Sequence, residues 1–486
     1  MKINRLIAGV GLVGLFAAGV VRNNPPVSRQ VGFGVQRHDV QPSMPAGNVL
    51  GTQWFCPGAQ INPDGSVTAT VVLANPYDTV ASGTLHIVPI DGKPVDQAVT
   101  VDPKSRKSIN IGALVNAGWV AATVEVSGAP VSAEIVTSSR LGTDASACAS
   151  QSSASWYFAS GQTISNETVK ATEVITLYNP YNEDASVDVR YVTDEGPINP
   201  LKLRGFVVPA GAVRIINVGE TAIRKKSISA SLTTRVGRVV AARYQSYDGS
   251  VRTGATFGLG AMEPGFDWAF PYGQKVPNGQ YSIVVYNPGD SVAAVDLEVT
   301  LEGGQAEPTA LTVPGRTTMI VDFAPIAQIP NNTVFSVVAR STNSVPIVAE
   351  RVEDFAAATG AIGTSTMLGS PGAFNRWILT AGGVSATQSE TIAVFNPGTI
   401  PVDVRLEAFG TVSGPVSKNQ PLTVKPGGRI VVKVGDAISG DAIPVVVTAS
   451  GPVVVERGIL AVPTKAADGT VQPGTGTSYQ LGIPYP

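Results

Sequence analysis

Four stretches of the chain, VVLAN, ITLYN, IVVYN and IAVFN, are apolar without alternation, and each ends in Asn-Pro, at Asn75, Asn179, Asn287 and Asn396. Unbroken apolar runs this short predict strands buried on both faces. Proline has no N–H to give a ladder and pushes its predecessor out of helical space, so Asn-Pro ends the strand and opens a turn. The segments that follow alternate instead: Val187, Val189 and Tyr191 against Asp188 and Arg190; Val295, Leu297 and Val299 against Asp296 and Glu298; Val402, Val404 and Leu406 against Asp403 and Arg405. A period of two turns one face to a core and the other to water. Turns at Pro103, Pro209, Pro314 and Pro426 then lead into further β-branched runs.

These landmarks recur in a fixed order. Trp54, Trp156, Trp268 and Trp377 each precede one of the apolar runs, and the Asn-to-Asn spacings are 104, 108 and 109 residues. Periodicity of this kind is the signature of a repeat architecture. Seven or eight short strands in each unit of roughly 105 residues predict an all-β chain of four tandem immunoglobulin-like β-sandwich modules. The units run over residues 52–150, 151–264, 265–373 and 374–486. A single β-propeller is the rival, but its blades take about 40 to 50 residues. Linkers as short as Glu263-Pro264-Gly265 predict modules that touch their neighbours along a string, with a fragment from about Pro264 to Pro371 able to fold alone.

Composition narrows the function. Charged residues make up 14% of the chain, and the formal net charge is −2 with no basic stripe, which excludes the counterion-displacing surface that nucleic-acid binding needs. There are two histidines, His38 and His86, too few for a multi-histidine metal site. Lys2 and Arg5 precede an uncharged apolar run from Leu6 to Val21, an export signal over residues 1–22. The weak cleavage site after Ala17, Ala18 and Gly19 favours an uncleaved membrane anchor, with a cleaved signal peptide and a secreted protein as the alternative. Residues 23–51 read as a flexible tether. Everything after the anchor is then extracytoplasmic. The two cysteines, Cys56 and Cys148, fall near the first and last strands of the first module, and an exported protein favours their disulfide.

Few residues invite chemistry. His86 sits on the solvent side of an alternating strand, at the position of Arg190, Glu298 and Glu407 in the other repeats. Glu350-Arg351 and Glu456-Arg457 form a recurring Glu-Arg element, of which the second repeat keeps only Arg243 after Ala242 and the first only Glu134 before Ile135. A charge buried on such a strand needs a partner, so a structural seam is expected. The tryptophans are expected to pack in cores or at junctions. Tyr77 and Tyr181, which follow Asn-Pro in the first two repeats, are the better candidates for an exposed ligand surface. No metal loop, nucleophile elbow or phosphate loop occurs in the sequence, so no catalytic residue, metal or cofactor is assigned.

WYFASG at Trp156, ITLYNPYNEDASVDVRYVTDEGP, the proline-glycine turn before Arg316 and VAERV around Glu350 resemble the repeats of an exported actinobacterial family of unknown function. The likeness extends from about Gly51 to Pro486 and is strongest in the second and third repeats. Family repeats often read Phe-Ala-Glu-Gly after the tryptophan, whereas Ser160 stands in place of that Glu. The resemblance implies β-sandwich repeats in the cell envelope and brings no activity. The expected function is therefore a non-catalytic envelope scaffold or partner-binding array, membrane-bound through its N-terminus, with an envelope protein or glycan as partner. A glycan-binding array is the alternative, and a carboxylate-dependent enzyme is the remaining one.

Overall fold

The strand Val402–Ala408 shows how the alternating pattern is used: its residues are buried and exposed by strict turns along its whole length. Strands that follow the other rule, such as Gln280–Asn287, are buried on both faces beyond their first residue. They sit inside their sheets, and neighbouring repeats cover much of what would be an outer face. The structure, a computed structural model, describes residues 40–486 except 48, 278, 303, 306–307, 356–360, 466–469 and 473. The export segment, most of the tether and His38 thus lie outside the described residues.

The chain is all-β and sandwich-like, built of several separate sheets. In the first repeat one four-stranded sheet runs in the order Gly51–Gln60, Trp119–Gly128, Ala81–Pro89, Val95–Val101. The other runs Ser105–Asn110, Thr68–Asn75, Ser132–Ser139, Gly142–Ala147. Every pairing in both is antiparallel. The second and third repeats reproduce this plan, and in the third the strand Ala361–Leu368 also pairs, in parallel, with Gly474–Thr475 of the fourth. In the fourth, the 17-residue strand Val445–Ala461 pairs with Phe374–Leu379 through its first half and with Gln388–Phe395 through its second, joining nine strands into one continuous sheet.

Each tryptophan lies at the centre of an apolar cluster with its indole N–H satisfied. Trp54, Trp156, Trp268 and Trp377 are 0–1% exposed and donate from Nε1 to the carbonyls of Val131, Val239, Ile347 and Val453 at 2.8, 2.9, 2.9 and 2.9 Å. The Asn of each Asn-Pro is buried as well. Asn75, Asn179, Asn287 and Asn396 donate from Nδ2 to the carbonyl four residues on, at 2.7, 2.7, 2.7 and 2.8 Å, and also to the carbonyl of a facing strand. Their Oδ1 atoms accept the N–H two residues on. Asparagine is required here because its amide both donates and accepts.

The open string expected from the short linkers is not what forms. The last strand of each repeat, Gly142–Ala147, Thr253–Leu259, Ala361–Leu368 and Thr477–Leu481, packs against the last strand of the next, and the fourth packs against the first. The repeats close into a ring. Gly142, Gly254, Gly363 and Gly476 occupy the same position in these four strands, and a Cβ there would lie 2.5 Å from Gly476 Cα, 2.4 Å from the Thr364 nitrogen, 2.7 Å from Thr477 Oγ1 and 2.8 Å from Gly142 Cα, respectively. Only glycine lets four backbones approach one axis this closely.

Just beyond the glycines, the axis is tied by a cycle of hydrogen bonds. Phe257 N donates to Asp144 Oδ2 (2.6 Å), Thr366 N to Thr256 Oγ1 (3.2 Å), Tyr479 N to Ser365 Oγ (3.1 Å) and Ala145 N to Ser478 Oγ (3.1 Å). In every case a backbone N–H of one repeat reaches a side-chain oxygen of the preceding repeat, and the last step returns from the first repeat to the fourth. Short polar side chains thereby satisfy buried backbone donors that form no ladder with a neighbouring repeat. Met44 N, donating to the carbonyl of Pro484 at 2.9 Å, ties the segment before the first strand to the end of the fourth repeat.

Candidate functional site at the junctions between repeats

The Glu-Arg element supplies the ring's buried charges. Each glutamate pairs with the arginine of the preceding repeat: Glu350 with Arg243 at 2.9 Å, Glu456 with Arg351 at 2.8 Å and Glu134 with Arg457 at 2.7 Å. All six side chains are buried. The strand that bears the element sits beside the last strand of its repeat, so the two members of a pair meet where repeats pack together, and Glu134 meets Arg457 only because the ring closes.

A third group completes each pair. The residue four after each tryptophan donates its N–H to the incoming glutamate: Ser160 to Glu350 at 3.0 Å, Tyr272 to Glu456 at 3.1 Å and Ala381 to Glu134 at 3.2 Å. The carbonyls of these same residues accept from Arg243, Arg351 and Arg457. Ser160 adds its hydroxyl, 2.5 Å from Glu350 Oε2. Each carboxylate therefore accepts a charge-assisted and a backbone hydrogen bond or ion pair, the arrangement that makes a buried charge tolerable.

A second carboxylate lies near each arginine. Glu173, Glu353 and Glu390 are buried; Glu353 Oε2 stands 3.5 Å from Arg351 Nε, and the oxygens of Glu173 have no hydrogen-bond partner among the described residues. Burial pushes Glu173 up to about 8, Glu353 to about 8 and Glu390 to about 7, only partly offset by the nearby guanidinium. At Arg243 and Arg351 one guanidinium faces two carboxylates and cannot neutralise both, so Glu173 and Glu353 hold a proton near neutral pH; beside Glu390, Arg106 adds a second guanidinium. On the axis, burial likewise raises Asp144 to about 6 against the hydrogen bonds that it accepts.

The remaining sequence candidates are placed apart. Cys56 and Cys148 form the expected disulfide. His86 is part-exposed, with Nδ1 2.5 Å from Asp96 Oδ1. Tyr181 is 44% exposed, and its hydroxyl lies 2.7 Å from Ser152 Oγ. Tyr77 departs from the exposed turn residue expected, because its ring is half-buried against Gly47 in the segment before the first strand. The two tyrosines belong to different repeats and do not build one surface. The four tryptophans present no face to solvent. Among the described residues no group of three or more His, Cys, Asp or Glu side chains is arranged to hold a metal ion.

Three features escaped the sequence reading: the asparagine clamps, the axial glycines and the second carboxylates. The glycines were signalled by Gly-Thr or Gly-Ala followed by a small polar residue at one offset in all four repeats.

Comparison with known proteins adds a family without a function. The model of DUF5719, a family of unknown function, matches residues 139–354. No curated protein matches the chain. Among solved structures, the Anabaena sensory rhodopsin transducer aligns over 94% of its own chain and 18% of this one, at 31% identity and a TM-score of 0.16. A tetra-tandem repeat from the extending region of a large adhesion protein aligns over 99% of its chain and 89% of this one, at 11% identity and a TM-score of 0.08.

Proposed function

We propose that the chain is a non-catalytic cell-envelope scaffold, four immunoglobulin-like modules closed into a ring and displayed outside the cytoplasmic membrane by its N-terminal segment. One observation carries the reading: the carboxylates that could serve acid–base chemistry are buried between repeats, each Glu of the Glu-Arg element fixed by an arginine and a backbone N–H, and Glu173, Glu353 and Glu390 enclosed beside them. A group so constrained and buried joins modules; it does not meet a substrate. Export is supported by the basic-then-apolar start of the sequence and by the disulfide, which belongs to an oxidising compartment.

The test is made in intact cells of the source organism. The scaffold reading expects the chain in the membrane fraction, shaved by external protease, and crosslinked to a defined envelope protein. A soluble cytoplasmic chain, or hydrolytic turnover of an envelope polymer that is lost on substituting a buried glutamate, sinks it. The glycan-binding alternative retains one observation, the exposed Tyr181 ring, and expects envelope polysaccharide to change tyrosine fluorescence in the parent but not in Tyr181→Ala.

A further inference from the structure

On the outer face of the second repeat, Arg190, Arg204 and Arg235 converge with Asn199 and Asp188 around an open cavity of about 460 Å³, and Arg316 reaches into it from the third repeat. Two of the four guanidinium groups are neutralised in place. Arg235 holds both oxygens of Asp188 from Nε at 2.9 Å, and Arg316 pairs with Asp290 at 2.6 Å. The side chains of Arg190 and Arg204 form no ion pair or hydrogen bond among the described residues. In a chain with net charge −2, this is a local concentration of unpaired positive charge.

The cluster belongs to this repeat alone. The position of Arg190, fixed by register with the strand that pairs with each tryptophan, is His86, Glu298 and Glu407 elsewhere. His86 is paired with Asp96, and Glu298 with Arg340.

A tight turn fixes where Arg316 emerges. Arg316 has φ +55°, left-handed for a residue with a Cβ, and donates its N–H to the carbonyl of Gly289. The same turn position is Lys104 in the first repeat, Gly211 in the second and Gly427 in the fourth, with φ +48°, +61° and +62°. Glycine holds that conformation without penalty, whereas another residue bears a cost of about 1 kcal/mol.

We propose that this pocket binds a phosphate-bearing ligand, Arg190 and Arg204 supplying the free forks and Arg316, paired with Asp290 through Nε, its remaining N–H donors across the junction. Guanidinium groups pair with phosphate oxygens bidentately, and a multiply charged tetrahedral anion matches several forks at once. Asp188, the carboxylate that lines the cavity, has both oxygens held by Arg235, so the proposal is one of binding. The proposal stands independently of where the protein resides.

The purified full chain is titrated calorimetrically with pyrophosphate at about 20 mM and about 200 mM salt, because contacts between exposed charges weaken with screening. The expected result is one site per chain that weakens severalfold at the higher salt. The double variant Arg190→Ser/Arg204→Ser weakens it at least tenfold, while Arg405→Ser on the fourth repeat leaves it unchanged. Arg316→Gly removes a guanidinium and relieves the positive φ, so it weakens binding without lowering the melting temperature. Repeating the titration with long-chain polyphosphate identifies the source: tighter binding per site indicates a polymer, equal binding a small phosphate compound. Absence of pyrophosphate binding overturns the proposal, as does binding that the double variant retains within twofold or that Arg405→Ser weakens equally.

Discussion

The junction between the second and third repeats and the junction between the first and second solve one packing problem with opposite chemistry. In the former, Arg243 meets Glu350, with the backbone N–H of Ser160 on the glutamate and Glu173 behind the arginine. In the latter, the equivalent positions are Ile135, Ala242, Gly58 and Ala69. Ile135, Ala242 and Ala69 are fully buried, and Gly58 lies so close to the second repeat that a Cβ would stand 2.8 Å from Val213 Cγ2. Arginine, glutamate and second carboxylate have all been exchanged together. The polar junction therefore behaves as a unit, since a buried charge left without its partner is far costlier than an apolar pair in the same space. The repeat that contributes Ile135 also carries the disulfide, whose Cys56 precedes Gly58 by two residues.

The largest effect should follow from cutting that covalent tie. Closing a loop across 92 residues stabilises by about 4 to 5 kcal/mol in the chain-entropy model. Cys56→Ser/Cys148→Ala should lower the urea midpoint accordingly, and an unchanged midpoint would mean that the apolar junction needs no covalent support.

Next comes the unit behaviour of the polar junction. Glu350→Ala strands Arg243 and should cost about 3 to 5 kcal/mol. Adding Arg243→Ile, which installs the chemistry of the first junction, should recover most of that loss, leaving a deficit of about 1 to 2 kcal/mol. Additive losses in a double-mutant cycle would show that the two residues are uncoupled.

A pH scan separates the junctions further. Glu173, Glu353, Glu390 and Asp144 have folded pKa values raised above their unfolded ones, so the native state binds more protons than the unfolded chain between about pH 4.5 and pH 8. Stability must fall as pH rises through that window. Glu173→Gln/Glu353→Gln/Glu390→Gln should flatten the decline in melting temperature between pH 5.5 and 8, and the remaining slope belongs mainly to Asp144. A triple variant with the parent's slope would refute the assignment.

The smallest effect tests the axis. Ser365→Ala removes the acceptor for Tyr479 N and should cost about 1 kcal/mol. Asp144→Ala, at the junction without a buried Glu-Arg pair, removes the acceptors for both Phe257 N and Thr256 Oγ1 and should cost more in matched thermal melts.

Much of this architecture was readable before any coordinates. The tryptophans, the Asn-Pro stops, the alternating strands and the cysteine pairing followed from local rules that act within about a hundred residues. The partner of Glu350 did not, because Arg243 lies 107 residues away and meets it only where one repeat packs on the next. For the same reason the isolated Glu134 and Arg243 looked like decayed copies of one element, although each is half of an intact pair. The clamp at Asn75 was hidden behind Pro76, whose strand-ending effect already explained the turn.

The axial cycle has a consequence for copy number. Each repeat gives an N–H to its predecessor and offers an oxygen to its successor, and the fourth and first consume each other's. No terminus of the array is left open to accept another unit, so such a chain cannot lengthen by duplicating one repeat without breaking the circle. What it presents to its surroundings is a fixed set of four unlike faces, on which specialisation proceeds by diverging the members and not by adding to them.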